Sequence, residues 1–247
     1  MVLGTTGEMN TILNPLYEAA DMDRQELQNL MDRMAHMPSN DDAMNLLSAF
    51  FAGYPIATLR QFLSSDNPAT VKAAVWIASE LAERAAPLLD EIGSLLTHPL
   101  AYVRFFAIDC VLACATGDDG AVLARTVGLL HDPDSGVRWK VMHFLAKASI
   151  EQLRASIDFL DDTHLCENVS WLLSHPRVPP VPDALLAKLT SSDSDDRMFA
   201  VGAAARGERV DLAALRAAAS MDDKEIAAFA REVLTAHQMT PPGNNAG

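Results

Sequence analysis

The chain has 247 residues, 49% of them hydrophobic and 21% charged, so it carries enough apolar surface to order itself and intrinsic disorder is excluded. Twelve glycines, thirteen prolines and only 6% aromatics argue against a turn-rich β sandwich or barrel and in favour of helices. Nineteen basic against 33 acidic residues give a net charge of −14, whose field repels phosphate backbones and anionic lipid headgroups; nucleic acid is a poor candidate partner.

At the N-terminus, residues 1–10 contain no Lys or Arg and no apolar core, so no secretory signal is expected. Two helix-period runs, 26–36 and 41–52, read as an N-terminal cap or an atypical first repeat within residues 1–53. The longest apolar stretch, 46–59, is interrupted by Ser48, Gly53, Tyr54, Pro55 and Thr58 and is too short to span a bilayer. No membrane association is expected. Cys110, Cys114 and Cys166 are an odd number in a chain too long to need disulfides, which points to reduced thiols and a cytoplasmic location.

From residue 54 to 237 the chain repeats itself. Val71-Lys72-Ala73-Ala74-Val75, Val103-Arg104-Phe105-Phe106-Ala107 and Val137-Arg138-Trp139-Lys140-Val141 align without gaps, each after a proline-bearing turn (Asp66-Asn67-Pro68, His98-Pro99, Asp132-Pro133). Weaker copies start at Leu165, Asp196 and Ile226, so the anchors recur every 28 to 34 residues. Four, seven and eight residues beyond each anchor the side chain is small or apolar with few exceptions, for example Ala107, Cys110 and Val111, which is one stripe of an α-helix. A second helix-period run precedes each of these helices, at 56–63, 87–96, 122–130, 153–160, 185–189 and 212–219. A two-helix unit of about thirty residues cannot bury its own apolar face, and stacking on its neighbours is the economical solution. Residues 238–247, with Pro241-Pro242-Gly243, read as a flexible tail.

Asp132-Pro133-Asp134-Ser135-Gly136-Val137-Arg138 closely resembles the HEAT-repeat pattern of a helix, an Asp-Pro turn, then Val-Arg and an alanine-rich second helix. The resemblance covers about 56–234; it is strong in the middle units and weak at Leu165 and Ile226, where Cys166 and Ala227 replace the basic residue. It implies an all-α, right-handed α-α superhelix of six to seven helical hairpins, with second helices on the concave side. It does not imply an activity, because the fold hosts many.

Lys72, Arg104, Arg138 and Arg197 stand one past their anchors. In HEAT-like proteins this residue ties a turn acid or carbonyl of the neighbouring unit, and Asp66 and Asp132 are the expected partners. Cys110 and Cys114 fall on the inward stripe and read as core. His164, Cys166 and His175 have no tetrahedral spacing, and the acidic turns Asp118-Asp119, Asp161-Asp162, Asp193-Asp195-Asp196 and Asp222-Asp223 read as helix caps that leave an acidic rim. No metal and no cofactor is expected.

Offsets two and six lie about 200° and 240° around the helix from the anchor, opposite the packed stripe. They carry Phe105, Asp109, Trp139, His143, Glu167 and Trp171 in three consecutive units, and Ile77, Met198 and Gly202 elsewhere. Rings mixed with carboxylates are the composition of binding hot spots, so these six are the expected partner-binding residues. With no Gly-rich phosphate loop, His-Glu-x-x-His or nucleophile elbow, the sequence reads as a non-catalytic module for a basic protein, such as a toxin-neutralising immunity protein or an adaptor. The alternative is a resemblance to bacterial alkylpurine DNA glycosylases, which would give Phe105, Asp109, Trp139 and Trp171 to damaged DNA. A cationic groove would then be required.

Overall fold

The computed structural model describes residues 24–174, 182–207 and 210–239. Residues 1–23 of the expected N-terminal cap, His175 and residues 240–247 of the expected tail lie outside the described residues. Gln238 and Met239, assigned to the tail by sequence, continue the helix Lys224–Met239.

The chain is all-α: seven helical hairpins and no strand are found among the described residues. The first joins Arg24–His36 to Asn40–Phe51, the second residues 56–63 to Pro68–Leu81, and the third residues 82–95 to Ala101–Cys114. The fourth joins residues 120–131 to Ser135–Lys147, the fifth Ile150–Ile157 to Thr163–Leu173, the sixth Pro182–Leu189 to Ser194–Ala204, and the seventh Leu212–Ala219 to Lys224–Met239. The first three form one compact unit ending at Cys114 and the other four a second unit beginning at Ala115.

Most of the second helices begin where the turn supplies a side-chain oxygen to unpaired backbone N–H groups. Asn67, Asp134, Asp162, Asp193 and Asp223 accept from the amides two or three residues ahead, at 2.8–3.3 Å. Of the Asp turns expected to cap, those of Asp162, Asp193 and Asp223 do so, each carboxylate meeting the positive end of its helix dipole, whereas Asp119 makes no side-chain cap bond to the helix Gly120–Gly128 and accepts instead from the amide and hydroxyl of Thr116.

In the first unit, Val71, Val75 and Ala78 of one second helix and Val103, Ala107, Cys110 and Val111 of the next are buried, as their spacing predicts. Thr70 donates to the Met34 and Ala35 carbonyls and Asn67 Nδ2 to His36 O, so the second hairpin closes a helix end of the first. Ala82, with φ 49°, ends Pro68–Leu81 in the left-handed region, and the Cys114 thiol donates to its carbonyl at 3.2 Å. Burial pushes Cys114 up to about 11 and Cys110 well above the usual thiol range, in keeping with core cysteines.

In the second unit the neighbours are not only those next in sequence. Ser135–Lys147 packs on Ser194–Ala204 of the next hairpin but one and reaches Lys224–Met239, while Thr163–Leu173 packs on Ile150–Ile157 and Ser194–Ala204. Gly202 permits the close approach: a Cβ there would stand 3.3 Å from Leu145 Cβ. Arg206 closes the same junction, donating to the Leu145 and Ala148 carbonyls at 2.7 and 2.6 Å. Expected to be open, offsets two and six are therefore sealed at Met198 and Gly202 by helix packing, and at Ile77, which is also fully buried in the first unit.

Candidate functional site

The six residues singled out by sequence fall in both units. In the first, Phe105 and Asp109 are half-buried on Ala101–Cys114. Phe105 packs edge-on to Phe106 at 5.3 Å between ring centroids, and Phe106 meets Tyr102 at 4.7 Å, with Lys72 Nζ 5.8 Å from the Tyr102 ring centre. Tyr102, 44% exposed, thus extends a ring cluster that the offset pattern missed. The i, i+4 spacing of Tyr102 and Phe106 was the available signal.

In the second unit Trp139 and His143 stand one turn apart, rings 5.2 Å apart, and both meet the edge or face of buried Phe229 at 6.2 Å. Phe229 was not singled out, since its place in the seventh hairpin follows from the unexpected neighbour order. Trp139 and His143 remain half-buried, and Lys140 Nζ lies 5.5 Å from the Trp139 ring centre. On Thr163–Leu173, Trp171 is half-buried with Lys188 Nζ 5.0 Å from its ring centre, and the Glu167 side chain is 73% exposed.

The acidic rim has a definite form in this unit. The turns before the second helices of the fourth, sixth and seventh hairpins line a cleft of about 460 Å³ with Asp132, Asp195, Asp223 and Glu225 set against Arg138 and His131. Arg138 forms a two-pronged pair with Glu225, Arg197 reaches Asp223 at 3.1 Å, and His131 Nε2 lies 2.7 Å from Asp195. The Glu225 hydrogen bonds hold the Arg138 guanidinium above even its usual high pKa.

The arginines one past each anchor do serve the turns, and Arg197 reaches a turn acid of the next hairpin, as expected. Arg104, Arg138 and Arg197 each donate to carbonyls of their own turn, at His98 and Pro99, at Asp132, and at Ser191 and Ser192. The acids that hydrogen-bond Arg138 and Arg197 are Glu225 and Asp223, both at the start of the seventh hairpin's second helix. Direct packing of the fourth and sixth hairpins near the seventh puts those two carboxylates within reach. Lys72 lies over a ring instead of at an acid.

Such a run of paired helices is an all-α repeat of helical hairpins, the architecture that the resemblance to HEAT repeats implies. Among solved structures, the chain is similar to a designed armadillo repeat protein in complex with the peptide (KR)4, at 18% identity and a TM-score of 0.45 over 91% of this chain and 98% of that one. A second designed armadillo repeat protein matches at 18% identity and 0.43, over 90% and 98%, and an engineered protein at 18% and 0.45, over 92% and 96%. No family model and no curated protein matches the chain. No helix among the described residues is long and apolar enough to cross a membrane.

Proposed function

We propose that this protein is a non-catalytic binding module that holds a basic protein, with the half-buried rings of Trp139, His143 and Trp171 as anchors and Glu167 and the acidic cleft as the selective element. Phe105 and Asp109 offer the same ring and carboxylate chemistry on the first unit. The observation that carries the reading is the presence, on one unit, of half-buried aromatic rings and a cleft bearing four carboxylates. Rings supply area that is lost from water on binding, while carboxylates raise the encounter rate of a cationic partner and reject an anionic one. A net charge of −14 acts in the same direction at long range. Covering the cationic catalytic or nucleic-acid-binding cleft of a toxin would inhibit it without chemistry, which is the role of an immunity protein; an adaptor for a larger complex would use the same surface.

The glycosylase alternative asks Arg104, Arg138 and Arg197 to gather a phosphate backbone, and each is committed to turn carbonyls of its own unit. A pull-down from native lysate, comparing the wild type with the double variant Trp139→Ala, Asp109→Ala, separates the readings. A stoichiometric protein band that the double variant loses is the expected result. Absence of any specific band, together with retained binding to abasic or alkylated DNA, would transfer the protein to the glycosylase class.

A further inference from the structure

Apart from its rings and acidic cleft, the second unit carries an apolar groove of about 430 Å³, bounded by the helical residues 120–131 and by the turn that follows Ile150–Ile157. Ala121, Ala124 and Gly128, three and four residues apart on one helix face, form its floor, and Phe159 stands in the facing wall. A Cβ on Gly128 would meet no heavy atom within 4 Å, so the floor has an open notch there. All these residues belong to a first helix and a turn, outside the second-helix offsets on which the sequence reading rested.

Phe159 is 58% exposed, more than Tyr102 or Phe51, yet its position is fixed. The ring lies on Gly120, where an added Cβ would come within 2.5 Å of a ring carbon, and the Phe159 amide donates to the Ser156 carbonyl. A ring held in place and left in water gives up little freedom on docking, which is the property of a binding anchor. The two walls carry opposite charge, Arg125 on the helix and Asp161 on the turn, both exposed. A cationic ligand would meet Arg125 and an anionic one Asp161, so neither suits the groove. A patch that holds a knob, a notch and both signs of charge is complementary to itself: a two-fold rotation brings each wall onto the opposite wall of another copy.

We propose that two copies of this chain associate through this groove, with Phe159 of each entering the notch at Gly128 of the other and Arg125 of each facing Asp161 of the other. The contact is small and the net charge of −14 opposes it, so the dimer is weak, with a dissociation constant of about 10–100 µM. The opposite charges of the walls fix the register, and the ring supplies the apolar area that is lost from water.

Sedimentation velocity of the full-length protein from about 1 to about 300 µM, with the melting temperature read beside it, tests the contact. A concentration-dependent dimer is expected, and Phe159→Ser should weaken it by at least about 30-fold. Gly128→Gln places its Cβ where no atom of its own chain stands, so it should weaken the dimer by at least about 10-fold with the melting temperature unchanged or raised. Arg125→Asp should weaken it by about 10-fold, and adding Asp161→Arg to that variant should restore it. The proposal is overturned if the wild type stays monomeric throughout the range, or if the dimer persists unchanged in either Phe159→Ser or Gly128→Gln. A charge exchange that leaves the dimer as weak as Arg125→Asp alone overturns it as well.

Discussion

Asp42 shows how a single side chain fastens a hairpin and makes it sensitive to acid. Burial acts to raise its pKa, but hydrogen bonds from Ser39 and Arg33 together outweigh that effect and hold the carboxyl below the ordinary 3.8. Asp196 is lowered likewise, with burial opposed by Lys188 and Ser191. A group depressed in the folded state stabilises the protein above its unfolded pKa, and that contribution disappears as pH falls below it. Urea unfolding should therefore show stability dropping from about pH 4 downward, and Asp42→Asn should flatten part of the slope; an unchanged slope would contradict the assignment. Arg138 and Glu225 are 21% and 28% exposed, so Arg138→Met, which removes both prongs and the turn carbonyl bond, should lower stability by about 1–3 kcal/mol in the same assay. The position of this arginine was legible from its constant offset. Its acidic partner was not, because Glu225 is 87 residues away and only the packing order of the hairpins brings it near.

Helices were legible almost throughout, since anchors, caps and apolar offsets all carried one 3.6-residue period. What the period could not show was how closely any two helices approach, and glycines decide that. A Cβ on Gly120 would lie 2.5 Å from the Ala155 carbonyl oxygen, which is backbone and cannot swing away, whereas at Gly117 it would meet only the Glu151 side chain. Gly120→Ala should therefore lower stability by about 2 kcal/mol or more, and Gly117→Ala should change it by less than about 0.5 kcal/mol, measured by urea midpoint. Equal effects would contradict the contact geometry. Ala82 presents the converse: its positive φ suits glycine, so Ala82→Gly should stabilise the turn after Pro68–Leu81 by about 1 kcal/mol, seen as a higher melting temperature. The offset pattern placed Gly202 opposite the packed stripe, and could not show its contact with Leu145, which belongs to a hairpin two repeats back.

For the molecule as a whole, the net charge of −14 and the ring-and-carboxylate offsets were legible, and they motivate a basic protein partner. The half-exposure of Trp139, His143 and Trp171 was not, since it depends on Phe229 and Lys188 arriving from other hairpins. Nor was the acidic cleft, whose carboxylates are far apart in the chain: Asp195 and Asp223 read as caps, Asp132 as the partner of an arginine, and Glu225 was not singled out. The most direct measurement is a fluorescence-anisotropy titration of a labelled lysine- and arginine-rich peptide, beside an acidic peptide of equal length, at about 0.05 M and about 0.5 M salt. Binding of the basic peptide alone, weakened at least about 10-fold by salt and again by Glu167→Gln with Trp171→Ala, is the predicted result. Equal binding of the two peptides, or binding indifferent to both salt and the double substitution, would contradict the account.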